Sequence, residues 1–122
     1  MAVSLATVSS GAASGTTAQT VGGAAQTLAE IATAGTFTFH IDLNLLSFND
    51  IIEVRILQKI LSAGTLRVAY YQLFSGIQPT DNQIQISVPI SNDLVEAAAS
   101  LRFTIQQTSG VARAFPYKVV SY

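Results

Sequence analysis

His40 is the one histidine in a chain of 122 residues. Asp42 follows at the spacing that puts both on one side of an extended strand. A histidine beside a carboxylate is the start of general-base chemistry, because the carboxylate orients the ring and favours its charged form. The other acids are Glu30, Asp50, Glu53, Asp81, Asp93 and Glu96. Two of them held across a sugar would be glycosidase chemistry. Asn49-Asp50 or Asp81-Asn82 would offer oxygens to calcium, yet neither has the spacing of an EF-hand loop. Asp50, Asp81 and Asp93 stand among turn formers, where Asp serves its own backbone. There is no G-x-S-x-G elbow, and Gly22-Gly23 leads into no Gly-Lys-Ser/Thr cradle. One histidine and no cysteine give too few soft ligands for a zinc site. The expectation is a protein that is not an enzyme and uses no cofactor, with His40 as a surface or interface residue.

Tyr70, Tyr71 and Phe74 invite stacking on bases or sugars. Nucleic acid also needs a cationic groove, which 6 scattered Lys and Arg residues do not provide. Tyr70 and Phe74 are assigned to the core and Tyr71 to a contact surface, where a ring packs while its hydroxyl stays bonded. Arg113 lies just before Phe115-Pro116-Tyr117. Its type suits either a partner anchor or a local bond to a turn carbonyl.

These residues need elements to hold them. From Thr36 to Asn44 the chain reads TFTFHIDLN, with Phe37, Phe39, Ile41 and Leu43 alternating against Thr38, His40 and Asp42. That is the period of a half-buried strand. Over Ile51–Leu61 the pattern predicts a strand with Ile52, Val54, Ile56 and Ile60 on one face. Ser62-Ala63-Gly64 turns the chain into a return strand, Leu66–Phe74, with Leu66, Val68, Tyr70 and Phe74 together. Glu53, Arg55 and Arg67 are placed for cross-strand charge pairing. Gln83–Ile90 is predicted as a strand with Ile84, Ile86 and Val88 facing in, ended or put at an edge by Pro89. Ser91-Asn92-Asp93 predicts either the cap of a short helix over Leu94–Ala99, with Glu96 closing a capping box, or an irregular crossover. Leu101, Phe103 and Ile105 mark a further strand. Val111–Ala114 and Tyr117–Tyr122 are read as the last, broken at Pro116. No helical pattern alternates with these strands, so the fold class is all-β, an antiparallel sandwich of two sheets. Without a tryptophan or a cysteine pair, a jelly roll is preferred to an immunoglobulin-like sandwich.

Residues 1–27 are rich in Ala, Ser, Thr and Gly. They are read as an extended arm lying against a neighbour or along the chain's own sheet edge, with uncharged β-formers such as Thr16, Thr17, Thr20 and Val21. Residues 28–122 form the sandwich domain, and Gln26–Ile31 suits a short strand or a single helical turn. Removing the arm is expected to leave the fold intact. The chain is 49% hydrophobic and 11% charged with a net charge of −1, against about 25% charged in ordinary domains. So sparsely charged a surface suggests burial in an assembly. No apolar run reaches the roughly 18 residues of a membrane helix. The start, MAVSLATVSSGAASG, lacks the pattern of a signal peptide. Neither a membrane nor nucleic acid is expected as a partner.

Four stretches carry a family resemblance: Phe-His-Ile-Asp-Leu-Asn at 39–44, Asp-Ile-Ile-Glu-Val-Arg at 50–55, Gly-Thr-Leu-Arg-Val-Ala-Tyr-Tyr at 64–71, and Gly-Val-Ala-Arg-Ala-Phe at 110–115. Together they resemble the small decoration, or cement, proteins of tailed-bacteriophage capsids. The resemblance implies a jelly-roll-like sandwich bound to the outer capsid surface of a virion made in the host cytoplasm. Its implied partners are the major capsid protein and other copies of itself, as a dimer or trimer. It would bridge capsomers and stabilise the shell. The candidate protein-interface residues are Tyr71, Arg67, Arg113 and His40. Two other readings stand beside it: another phage structural protein of the tail or head-completion type, and a carbohydrate-binding sandwich module.

Overall fold

The computed structural model describes residues 6–12 and 21–121. Its strands are β1 (Ala6–Ala12), β2 (Gln26–Ile31), β3 (Gly35–Asp42), β4 (Ile51–Gln58), β5 (Arg67–Ser75), β6 (Ile84–Ile86), β7 (Ile90–Asn92), β8 (Leu101–Ser109) and β9 (Pro116–Ser121). All pair antiparallel in two sheets. One has the order β1-β9-β3-β6, with β7 also on β3, and the other has the order β2-β8-β4-β5. The pairs nest along the chain: β1 with β9, β2 with β8, β3 with β6 and β7, β4 with β5. Successive rungs of this long hairpin fall alternately in the two sheets. That is the jelly roll.

Alternation builds the core. Ile52, Val54 and Ile56 of β4 are buried, as are Leu101, Phe103 and Ile105 of β8 and Phe37, Phe39 and Ile41 of β3. Phe39 crosses between the sheets, stacked on Phe103 of β8 and on Tyr117 of β9, each with centroids 6.0 Å apart. The Tyr117 hydroxyl donates to the Leu28 carbonyl at 3.0 Å, so a ring from the first sheet also satisfies the irregular stretch of β2 at Leu28.

Several expectations are corrected. β4 ends at Gln58, and Ile60 lies exposed in the following turn. Opposite the step from Ile56 to Leu57 the register shifts, so that Ile56 pairs with Tyr70 and Leu57 with Val68. The extra residue, Ala69, turns Val68 to the outer face, away from Tyr70. Ile84 and Ile86 face outward, in register with Asp42 and His40, and Val88 is exposed too. Polar residues turn inward there because each satisfies a main-chain group. The Ser87 hydroxyl accepts from Phe39 N–H at 2.9 Å, and the Gln85 amide donates to the Asn82 carbonyl at 2.8 Å. Pro89, with no N–H, lies between β6 and β7.

No helix forms over Leu94–Ala99. Buried Asn92 and Ser100 hold that crossover: the Asn92 amide donates to Ser100 Oγ at 2.8 Å and to the Thr33 carbonyl at 2.7 Å. Glu96 leaves the capping-box role for an ion pair with Lys59 at 3.3 Å. Val111–Ala114 is a loop. Gln26–Ile31 is a strand. Of the N-terminal 27 residues, Ala6–Ala12 runs along β9 as the outermost strand of the first sheet, whereas Thr16, Thr17 and Thr20 lie outside the described residues. Deleting 1–27 therefore strips one edge ladder and the first residues of β2.

Gly110 is tightly enclosed by Asp50 and Asn49. Its φ is +91°, and a Cβ there would sit 2.0 Å from Asp50 Oδ1 and 2.7 Å from Asp50 Cα. Gly76, at φ +73°, has open space around it. Gly76→Ala should cost about 1–2 kcal/mol, the left-handed penalty alone. Gly110→Ala should cost clearly more in the same urea titration, because side chain and backbone must both move.

Candidate interaction surface

Asp50 anchors one end of the sandwich. Its buried carboxylate accepts from Ser47 N–H at 2.9 Å, from Val111 N–H at 3.0 Å, and from Arg113 Nε. Its carbonyl accepts from Gly76 N–H at 2.9 Å. One residue thus ties together the β3–β4, β5–β6 and β8–β9 loops. Gln107, also fully buried, donates to the Val111 carbonyl at 2.7 Å and accepts from Arg113 N–H at 3.2 Å. Arg113 directs its guanidinium Nε to the Asp50 carboxylate. It is the counter-charge of a buried acid, a pairing that a sequence separation of 63 positions conceals. Burial pushes the Asp50 carboxyl up. The hydrogen bonds from Ser47, Arg113 and Val111, with the guanidinium charge, outweigh that and hold it below its usual range.

His40 lies on the outer face of the first sheet, beside Lys118 and Ile86 in register. Its Nε2 meets the Thr38 hydroxyl at 3.0 Å. Burial, and then the Lys118 charge, lower its pKa. The Asp42 carboxylate accepts from Asn44 N–H at 2.9 Å. Among the described residues no group of three or more His, Cys, Asp and Glu side chains is arranged to hold a metal. No helix there is long and apolar enough to cross a membrane.

Tyr71 lies on the outer face of the second sheet. Its hydroxyl donates to Glu53 Oε1 at 2.5 Å, and the Arg55 guanidinium sits 4.9 Å above its ring. Arg55 also pairs with Glu53 at 3.3 Å and donates to Gln106 Oε1 at 3.1 Å. Further across the face, Arg102 pairs with Glu30 at 3.3 Å. Glu53, Arg55, Glu30 and Arg102 of this face are thus paired with one another. Arg67 is exposed opposite Gln58 and makes no cross-strand ion pair, because Glu53 stands opposite Leu73 at the other end of the strand. Around the matched charges stand Val68 (53% exposed), Tyr71 (45%) and Leu73 (43%). Tyr70 and Phe74 point the other way, toward the core. The three aromatics thus do not share one stacking platform. The Glu53 carboxyl is held below its usual range, first by the Tyr71 hydroxyl and, against its partial burial, by Arg55.

The two ends of the sandwich expose more apolar groups: Phe48, Ile77 and Val111 around Asp50, and Ile60, Leu61 and Val95 at the opposite end. Phe48, Ile77 and Val95 carry no periodic signal that marks them in the sequence, whereas Ile60 and Val111 extend strand patterns that the structure ends before them. No protein-family model matches the chain, and no curated protein or solved structure matches it significantly.

Arg113→Ala should destabilise the fold by about 3 kcal/mol, since it leaves a buried carboxylate without its counter-charge. Because the Asp50 pKa is lowered on folding, its stabilisation is complete above about pH 4. It is lost as pH falls through the lowered folded value. Thermal melts of Asp50→Asn should accordingly show a flatter acid limb than those of the parent chain. In a carboxyl NMR titration, Tyr71→Phe should move the Glu53 midpoint upward, toward the ordinary glutamate value.

Proposed function

We propose that this protein is a structural virion protein that binds the outer surface of a tailed-bacteriophage capsid and stabilises it by bridging neighbouring capsomers. Its partners are the major capsid protein and further copies of itself. The observation that carries this reading is the outer face of the β2-β8-β4-β5 sheet. Glu53, Arg55, Glu30 and Arg102 neutralise one another in place, and Val68, Tyr71 and Leu73 stand out from it. A surface of that kind buries against another protein without stranding an unpaired charge, the costliest event in forming an interface. Tyr71 is held upright by Glu53 and Arg55 before any partner arrives, so little side-chain freedom is lost on contact. The resemblance of residues 39–44, 50–55, 64–71 and 110–115 to capsid decoration proteins supports the same reading, as does the jelly-roll fold.

The mechanism is mechanical. A subunit bound across two capsomers adds contacts that must break before the shell opens. Occupancy then stabilises the assembled shell by mass action, and weak contacts repeated on a symmetric surface add up.

Co-sedimentation of the purified protein with empty shells tests the proposal. Tyr71→Ala and Val68→Asp should each weaken shell binding about tenfold or more, as central interface residues do. Their folding stability should fall by only about 1 kcal/mol, the span of strand preferences at such positions. Undiminished shell binding by both variants contradicts the assignment of this face.

A further inference from the structure

The strands at the sheet edges differ in how they guard themselves. β1 shifts register between Thr7 and Ser9. β2 shifts between Thr27 and Ala29 and carries Glu30. β6 and β7 are three residues each, with Pro89 between them. Bulges, charges, shortness and proline all keep a sheet edge from pairing with another chain. β5 has a single shift at Ala69, and from Tyr70 to Ser75 it runs in unbroken register along β4. No charge and no proline occur between Val68 and Ser75. No strand meets its outer edge among the described residues. An edge of this kind is a template for one more strand.

The pleat indicates which strand fits. Residues directly opposite one another in an antiparallel pair lie on the same face. Two copies related by a two-fold axis therefore pair with the axis at a residue, not between residues. Centred on Gln72, Tyr71 comes opposite Leu73 on the outer face, Tyr70 opposite Phe74 on the inner face, and Gln72 opposite Gln72. Each pairing is alike in polarity, aromatic with aliphatic or aromatic and amide with amide. The single cation of β5, Arg67, falls beyond the paired segment in both copies, at opposite ends, so like charges do not meet. Tyr70 and Phe74, half-buried at the mouth between the sheets beside Gln85 and Ile86, gain cover from the same residues of the second copy.

We propose that two copies of this chain pair antiparallel along β5 about a two-fold axis at Gln72, joining two four-stranded sheets into one of eight strands. Such an isologous contact closes at two subunits. It sets two Val68–Tyr71–Leu73 rows side by side on one face, which gives a single particle two equivalent surfaces. The use of those surfaces to span two capsomers rests on the shell-binding reading, whereas the pairing itself does not.

The full chain has no cysteine, so Gln72→Cys gives a clean probe. Opposed Cα atoms in an antiparallel pair lie about 4.5–5.5 Å apart, within the span of a disulfide. Sedimentation velocity without shells should show a dimer for the parent chain and for Ile86→Lys, and a monomer for Leu73→Lys. Mild oxidation should convert most of Gln72→Cys to a covalent dimer, while Ile84→Cys on the other sheet's edge stays uncrosslinked. A monomer at the highest soluble concentration, a trimer, or crosslinking of Ile84→Cys as fast as Gln72→Cys overturns the pairing. Shell binding by a strictly monomeric parent chain overturns the pairing and leaves the shell reading standing. A dimer that ignores shells does the reverse.

Discussion

Each strand of this protein has one side to bury, and Phe39 shows how strictly that constraint is used. It stands between the sheets against Phe103 and Tyr117, and its neighbours His40 and Thr38 are thereby sent to the outer face. The same rule puts Ile52, Val54 and Ile56 inside and leaves Glu53 and Arg55 outside, two residues apart and paired. With 11% of its residues charged, the molecule has few groups with which to keep its outer faces in water. Glu53, Arg55, Glu30 and Arg102 on the second sheet are spent on one another. Beside them that face presents tyrosine, valine and leucine, residues that favour contact with protein when exposed together.

Polar groups inside the sandwich decide the shape of its ends. Asp50 and Gln107 gather three loops at one end, and Asn92 with Ser100 fastens the crossover at the other. Both clusters are fully bonded at their centres, which is the condition under which buried polarity stiffens a fold. Gly110 belongs to the first cluster as much as Arg113 does, since a side chain there would occupy the place of the Asp50 carboxylate. The loops so fastened carry exposed Phe48, Ile77 and Val111, so apolar groups are held out on a rigid base.

The architecture was open to reading from the residues because a period of two is local. TFTFHIDL and IIEVRIL each declare their buried side without reference to any other segment. Register is not local. The single extra residue at Ala69 reversed the side of Val68, and the outward turn of Ile84 and Ile86 follows from hydrogen bonds that Ser87 and Gln85 make to main-chain groups. A hydrophobic pattern contains neither fact. The role of Arg113 was hidden for the same reason, since its partner is distant in sequence. Tyr71 could be assigned outward by counting alone. Its clamp by Glu53 and Arg55 required the pairing of β4 with β5.

The measurement closest to the central claim is electron microscopy of phage shells carrying this protein, with the jelly roll fitted into the added density. The account predicts density on the outer surface at junctions between capsomers, with the β2-β8-β4-β5 face turned toward the shell. Density confined to the tail or the head–tail junction, or a fit that leaves Tyr71 pointing into solvent, contradicts it.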